Sequence, residues 1–156
     1  MGDRAENIAR AIVALGRRGV RVTQESSMYE TEPLEIREQP WFLNCAIAAE
    51  AELSAERLME VLLEIERDMG RERLVPKGPR LIDMDILLYG SDIVKEPGLE
   101  IPHPRMAERK FVLVPLAEIA GEANHPMAMM TIGEMLEATA DRSKVRKWRG
   151  ASTDAR

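Results

Sequence analysis

Two carboxylates stand two residues apart, Asp83 and Asp85, inside the otherwise apolar run Leu81-Ile82-Asp83-Met84-Asp85-Ile86-Leu87-Leu88. In an extended chain alternate side chains share a face, and a rise of about 3.3 Å per residue sets the two Cα atoms roughly 6.6 Å apart. Carboxylates so placed can grip a hard cation, since Mg²⁺ takes one or two of them and completes its shell with phosphate oxygens. Buried without cations, the pair would be desolvated and self-repelling. The competing reading is a solvent-facing strand edge carrying two solvated acids. Cationic side chains bracket the pair: Arg71, Arg73 and Arg80 precede it, and His103 and Arg109 follow. Residues 71–80 hold four basic side chains against one acidic, a local charge of +3, and read as an anion-facing loop. Gly70, Pro76, Gly78 and Pro79 deny that loop regular structure, which predicts that it moves when empty and orders over an anion. A metal with arginines is the recurring equipment of phosphoryl transfer. Each arginine alone reads as a solvated surface charge, and only the clustering argues for more. No Gly-x-x-x-x-Gly-Lys-[Ser/Thr] occurs, which excludes a P-loop kinase.

A second candidate region is Phe42 to Ala49, an apolar run interrupted by Asn44, whose amide needs hydrogen-bond partners if it is buried. Phe42, next to Trp41, reads either as an ordinary core ring or as an aromatic face for a flat ligand.

These residues must be held by one body. The 156 residues read as a single domain over 1–156, because a chain of this length buries well over half of its unfolded surface. The net charge of −5 gives no global attraction to nucleic acid or anionic lipid. No run approaches the roughly 18 apolar residues of a membrane helix, and the first residues lack the form of a signal peptide. A cytoplasmic protein without nucleic-acid or membrane partners is the expectation. The one cysteine, Cys45, cannot form an internal disulfide and reads as packing.

Asp3 with Glu6 has the form of a capping box before Ala5, Ile8, Ile12 and Leu15, which predicts a helix from the cap to Gly16. Residues 20–29 and 42–51 read as two strands of a long hairpin around a polar loop from Glu30 to Gln39. Ser54 caps a helix with the stripe Leu58, Val61, Leu62, Ile65 and Met69, with Gly70 just beyond its end. Residues 81–88 read as a central strand, followed by a turn at Tyr89 to Asp92 and a short extended piece at Ile93 and Val94. Short helices are predicted at 105–109 and 115–120, a helix from Thr131 through Ala140, and a last strand from Lys144 to Trp148.

Taken in order, Tyr29-Glu30-Thr31-Glu32-Pro33-Leu34, Phe42-Leu43-Asn44, Gly70-Arg71-Glu72-Arg73, Gly78-Pro79-Arg80-Leu81-Ile82-Asp83-Met84-Asp85-Ile86-Leu87 and Pro102-His103 resemble the 6-hydroxymethyl-7,8-dihydropterin pyrophosphokinases of folate synthesis. The likeness covers most of residues 2–120. It implies an α/β (α+β) fold of the ferredoxin-like kind, a mainly antiparallel sheet covered by helices. It also implies transfer of the β,γ-diphosphate of ATP to the pterin hydroxymethyl group with release of AMP. In that likeness Asp83 and Asp85 bind two Mg²⁺ ions, and Arg71 and Arg80 act with them in catalysis. Arg71, Arg73, Arg80, His103 and Arg109 hold phosphates, and Glu66 and the Ile86 backbone contact the nucleoside. The pterin lies between Phe42 and Phe111, bonds to Asn44, and meets main chain near Thr31 and Leu34.

The sequence departs from the family pattern at three places. Lys77 stands where many relatives have tryptophan, and Pro104 where some have tyrosine. Relatives also begin with a strand ending Gly-Ser-Asn-Leu-Gly, whereas here Met1 falls at the leucine position, so the family's first strand is missing from this chain. The expectation is a chain that self-associates through exposed sheet edges or is weakly active. Two other readings stay open: a catalytically impaired relative acting as a binding or remnant protein, and another Mg²⁺-dependent nucleotide-processing enzyme.

Overall fold

The computed structural model describes residues 3–32, 41–70 and 81–149, which fall into two compact units. In the first, Asp3 Oδ1 accepts from the Glu6 amide at 3.1 Å and opens helix α1, Arg4–Arg17. Its buried face is Asn7, Ile8, Ala11 and Leu15. The helix stops as the Val20 amide donates to Leu15 O and the Gly19 amide to Gly16 O, with Gly19 at φ +87°. That is a Schellman ending, in which a residue without Cβ takes the left-handed conformation at no steric cost. Helix α2, Ala55–Gly70, is capped by Ser54 Oγ, which accepts from the Arg57 amide at 3.0 Å. It buries Val61, Leu62, Ile65 and Met69 and runs through Gly70, one residue further than predicted. Arg18, at the end of α1, forks onto Glu64 and Asp68 of α2 at 2.8 and 2.6 Å.

Each predicted hairpin strand is two strands. Residues 20–29 divide into β1, Arg21–Glu25, and β2, Tyr29–Thr31; residues 42–51 divide into β3, Phe42–Asn44, and β4, Ile47–Glu50. β1 pairs with β4, while β2 lies between β3 and a C-terminal strand. The break falls at buried Ser26 and Ala46. The Ser26 amide donates to Ala46 O at 2.8 Å, but the Ala46 amide donates to Ser26 Oγ at 2.9 Å, so a hydroxyl replaces the ladder carbonyl and regular pairing stops there.

The central strand predicted at 81–88 is also corrected, since that segment joins no ladder among the described residues. Its backbone is bonded individually: Asn7 Nδ2 donates to Leu81 O at 3.3 Å, the Met84 amide to Glu66 Oε2 at 2.7 Å, and the His103 amide to Leu87 O at 3.0 Å. Beyond it, β5 (Val94–Glu96) and β6 (Leu99–Ile101) form an antiparallel hairpin turned at Gly98, φ +81°. The Ile101–Pro102 peptide is cis.

In the second unit, helix α3 spans Lys110–Ala120 with Pro115 inside it, whereas the sequence predicts short helices over 105–109 and 115–120. One 3₁₀ turn, Met106–Glu108, precedes it. Helix α4, Ile132–Ala138, has the complete capping box: Thr131 Oγ1 accepts from the Glu134 amide and Glu134 Oε1 from the Thr131 amide. It ends two residues before the predicted Ala140. The Gly133 amide bonds to Gly121 O at 2.9 Å, and a Cβ on Gly133 would stand 3.2 Å from that oxygen. Strand β7, Val145–Lys147, pairs antiparallel with β2 opposite β3. Leu113, Pro115, Leu116, Ile132 and Met135 are the unit's apolar centre. The whole is an α+β fold of helices and antiparallel ladders.

Candidate active site

Asp83 and Asp85 are both exposed, whereas Ile86 is buried and Met84 half-buried, so the extended segment turns its two acids to one solvent-facing side and its apolar residues inward. Three side or main chains fix it. Glu66, one turn before the end of α2, takes the amide of the residue between the two acids. Asn7, on the buried face of α1, holds Leu81 O. His103 donates its own amide to Leu87 O, and its Nε2 stands 4.0 Å from Asp85 Oδ2. An open groove of about 510 Å³ runs beside Asp85, lined by Met59, Ile86, Leu99, Glu100 and His103. No group of three His, Cys, Asp or Glu side chains able to hold a metal occurs among the described residues. The two aspartates alone fit a hard cation that brings its remaining oxygens on a ligand and on water.

Asn7 was not singled out from the sequence. Its signal was there: it sits four residues before Ala11 and eight before Leu15, an amide on the face that α1 buries.

The second unit collects Thr31, Phe42, Asn44, Arg109 and Phe111. In the β2–β3 ladder Tyr29 pairs with Asn44 and Thr31 with Phe42, and paired residues present their side chains on the same face. Asn44 Nδ2 donates to Phe111 O at 2.8 Å. Asn44 Oδ1 and Thr31 Oγ1 are buried and have no hydrogen-bond partner among the described residues. Two orphan oxygens on one ladder are a costly arrangement for a closed core and point to a polar ligand edge, one that donates to Asn44 Oδ1 and either donates to or accepts from the Thr31 hydroxyl. Phe42 beside them is 58% exposed, so its ring is not core packing. Arg109 stands over the Phe111 ring, 5.8 Å from guanidinium carbon to centroid.

Two acids brace this ladder and α3. Glu118 Oε1 accepts from Tyr29 Oη at 2.6 Å, and its carboxylate also takes the Ser27 amide and hydroxyl. Burial, followed by the bond to Glu118, pushes the Tyr29 phenol up to about 12. The same phenol bond holds the Glu118 carboxyl below its ordinary range. Asp141 caps α3 from afar: its Oδ2 accepts from the Lys110 amide at 2.8 Å, and its Oδ1 from the Ser143 amide and hydroxyl. Burial alone would raise its pKa, but these bonds outweigh it and the carboxyl lies lower than usual. Leu34, Arg71, Arg73, Lys77 and Arg80 lie outside the described residues.

A family model described as 7,8-dihydro-6-hydroxymethylpterin-pyrophosphokinase matches residues 1–121. The chain is 39% identical over 153 residues to the 2-amino-4-hydroxy-6-hydroxymethyldihydropteridine pyrophosphokinase of Bacillus subtilis, covering 97% of this chain and 87% of that protein. It is 46% identical over 121 residues to the protein of the same name from Methylorubrum extorquens, covering 77% of each. It is also 38% identical over 141 residues to the folic acid synthesis protein fol1 of Pneumocystis carinii, covering 90% of this chain but 19% of that longer protein. The chain likewise spans 24% of the mitochondrial folate synthesis bifunctional protein of Pisum sativum, at 42% identity over 79% of its own length.

Proposed function

We propose a reaction for this chain from one premise: it belongs to the 7,8-dihydro-6-hydroxymethylpterin-pyrophosphokinase family, and it transfers a diphosphoryl group from ATP to the hydroxymethyl group of 6-hydroxymethyl-7,8-dihydropterin. The hydroxymethyl oxygen gives up its proton and attacks the β-phosphorus, the bond from that phosphorus to the α-phosphate oxygen breaks, and AMP leaves. The observation that carries the substrate side is the orphan pair Asn44 Oδ1 and Thr31 Oγ1 beside an exposed phenylalanine. A flat heteroaromatic with N–H groups on its edge meets those oxygens, and its face meets the rings of Phe42 and Phe111. Leu34 main chain belongs to the same proposed pocket.

On the nucleotide side, Asp83 and Asp85 would hold two Mg²⁺ ions, which supply charge neutralisation to the triphosphate. His103, beside Asp85, and Arg71, Arg73, Arg80 and Arg109 serve as phosphate donors in this reading, with Arg71 and Arg80 also assigned to catalysis. Arg109 stands one residue before α3 and two before Phe111, which also suits it to the pterin side. Ile86 and the groove beside it suit the nucleoside. Glu66, assigned to the nucleoside by resemblance, has a second task supported by its bond to Met84: it keeps the two aspartates in register.

The proposal includes a cytoplasmic setting. No helix among the described residues is long and apolar enough to cross a membrane, and relatives from Pisum sativum and Arabidopsis thaliana carry "mitochondrial" in their names. Fractionation of the source cells tests that part. The reaction is tested by following nucleotide products when the hydroxymethyl-dihydropterin is added to protein, ATP and Mg²⁺. AMP in step with pterin consumption is expected. ADP would defeat diphosphoryl transfer and favour another nucleotide-processing enzyme, and no turnover with retained pterin binding would favour a catalytically impaired relative.

A further inference from the structure

Helix α3 carries its proline in the interior, as the sixth residue from Lys110, and Pro115 is fully buried. A proline has no N–H, so the carbonyl four residues before it loses its helical donor. That carbonyl belongs to Phe111. It is also the carbonyl to which Asn44 Nδ2 donates, at 2.8 Å, from strand β3. The donor missing from the helix and the donor supplied by the asparagine therefore meet at one oxygen.

This settles which way the Asn44 amide faces. A carbonyl oxygen accepts and never donates, so the end of the amide touching Phe111 O is the NH₂, and the other end, Oδ1, is the acceptor. Oδ1 is the buried oxygen that has no partner among the described residues. We infer that Pro115 is a positioning residue for substrate selection: by leaving Phe111 O open it fixes the Asn44 amide with its oxygen toward the ligand, so that the pocket selects a heterocycle edge that donates N–H. With any other residue at 115, a backbone N–H would compete for Phe111 O. The amide would then be loosened to turn its NH₂ toward the ligand, where it would oppose a donating edge. The inference rests on the pterin reading of the pocket, and the experiment separates the two.

Pro115→Ala and Pro115→Val both restore the amide, the second with a side chain closer in bulk to the ring it replaces. Steady-state kinetics with varied pterin and varied ATP is expected to show the pterin KM raised about tenfold, the size of one exchanged buried hydrogen bond. The ATP KM should stay within about twofold. In the free protein, the Asn44 side-chain NH₂ resonances, assigned by an Asn44→Asp comparison, are expected to exchange with solvent faster in both variants than in the parent. A general loss of structure would instead raise both KM values together. An unchanged pterin KM and unchanged Asn44 NH₂ exchange in a folded Pro115→Ala or Pro115→Val protein would overturn the inference. If the parent protein itself binds no pterin, the substrate reading fails, and faster Asn44 NH₂ exchange in the variants still supports the Pro115–Asn44 link on its own.

Discussion

The segment carrying Asp83 and Asp85 and the ladder carrying Thr31 and Asn44 hold their polar groups in opposite ways. The aspartates are exposed, and their precision comes from bonds to the backbone between and beside them, from Glu66, Asn7 and His103. Thr31 and Asn44 sit in a regular antiparallel register, and their oxygens are buried without partners among the described residues. An exposed acid pair keeps its hydration until a cation arrives, so it costs the fold little. A buried orphan oxygen carries its desolvation penalty continuously, and a matching donor relieves it. The first arrangement is suited to a charged ligand that brings its own counter-ions; the second discriminates among neutral ligands by hydrogen-bond pattern.

Removing an acid tests the first arrangement most severely. Asp83→Ala or Asp85→Ala is expected to lower AMP release by on the order of a hundredfold to a thousandfold, with the thermal midpoint unchanged or raised, because the deletion also relieves like-charge repulsion. An active, stable Asp85→Ala protein would remove the pair from the site. In the ladder, Asn44→Ala should raise the pterin KM by about ten- to a hundredfold and leave the ATP KM alone, as expected for one lost buried hydrogen bond to substrate. Equal effects on both substrates would dissolve the contrast between the two regions.

Glu66→Ala sharpens the contrast, since Glu66 need touch no ligand to matter. Activity should fall about tenfold through misplaced aspartates, and Glu66→Gln, whose carbonyl can still accept from the Met84 amide, should recover most of it. The smallest effect concerns pH. Because the folded-state pKa of Glu118 is lowered, its contribution is complete above the unfolded-state value and is lost as pH falls through the folded one. Tyr29→Phe should cost about 1 kcal/mol at neutral pH, below the range for a buried charged bond because Glu118 is exposed, and should shrink the acid-dependent part of the stability curve. Urea melts at neutral and acid pH measure both, and an unchanged pH dependence would contradict the assigned brace.

Much of the helical structure was legible because it is written locally. Asp3 with Glu6, Ser54 with Arg57, and Thr131 with Glu134 each name a helix start, and the apolar stripe of α2 names its buried face. The strands were harder. Nothing in the alternation of 20–29 or 42–51 announces that Ser26 Oγ will take the Ala46 amide and divide both strands. Residues 81–88 have the composition of a central strand, yet partners 74 and 18 residues away in sequence take their backbone groups one at a time. The helix expected over 115–120 begins five residues earlier, at Lys110, because α3 accommodates Pro115 in its interior. Of the site, the exposed acids and the amide at 44 stood out by chemical type. The braces Asn7, Glu118 and Asp141 did not, since a single polar residue on a helix or loop gives no local sign of the distant group it will meet.

The Glu66–Met84 bond joins residues 18 apart in sequence and so acts as the neck of a loop. Closure entropy grows only logarithmically with loop length, so doubling the enclosed chain would cost about 0.6 kcal/mol. Insertions and deletions beyond that neck therefore weigh little on the fold, provided the neck holds. Evolution and the protein engineer alike are left to shape the enclosed stretch by what it must bind.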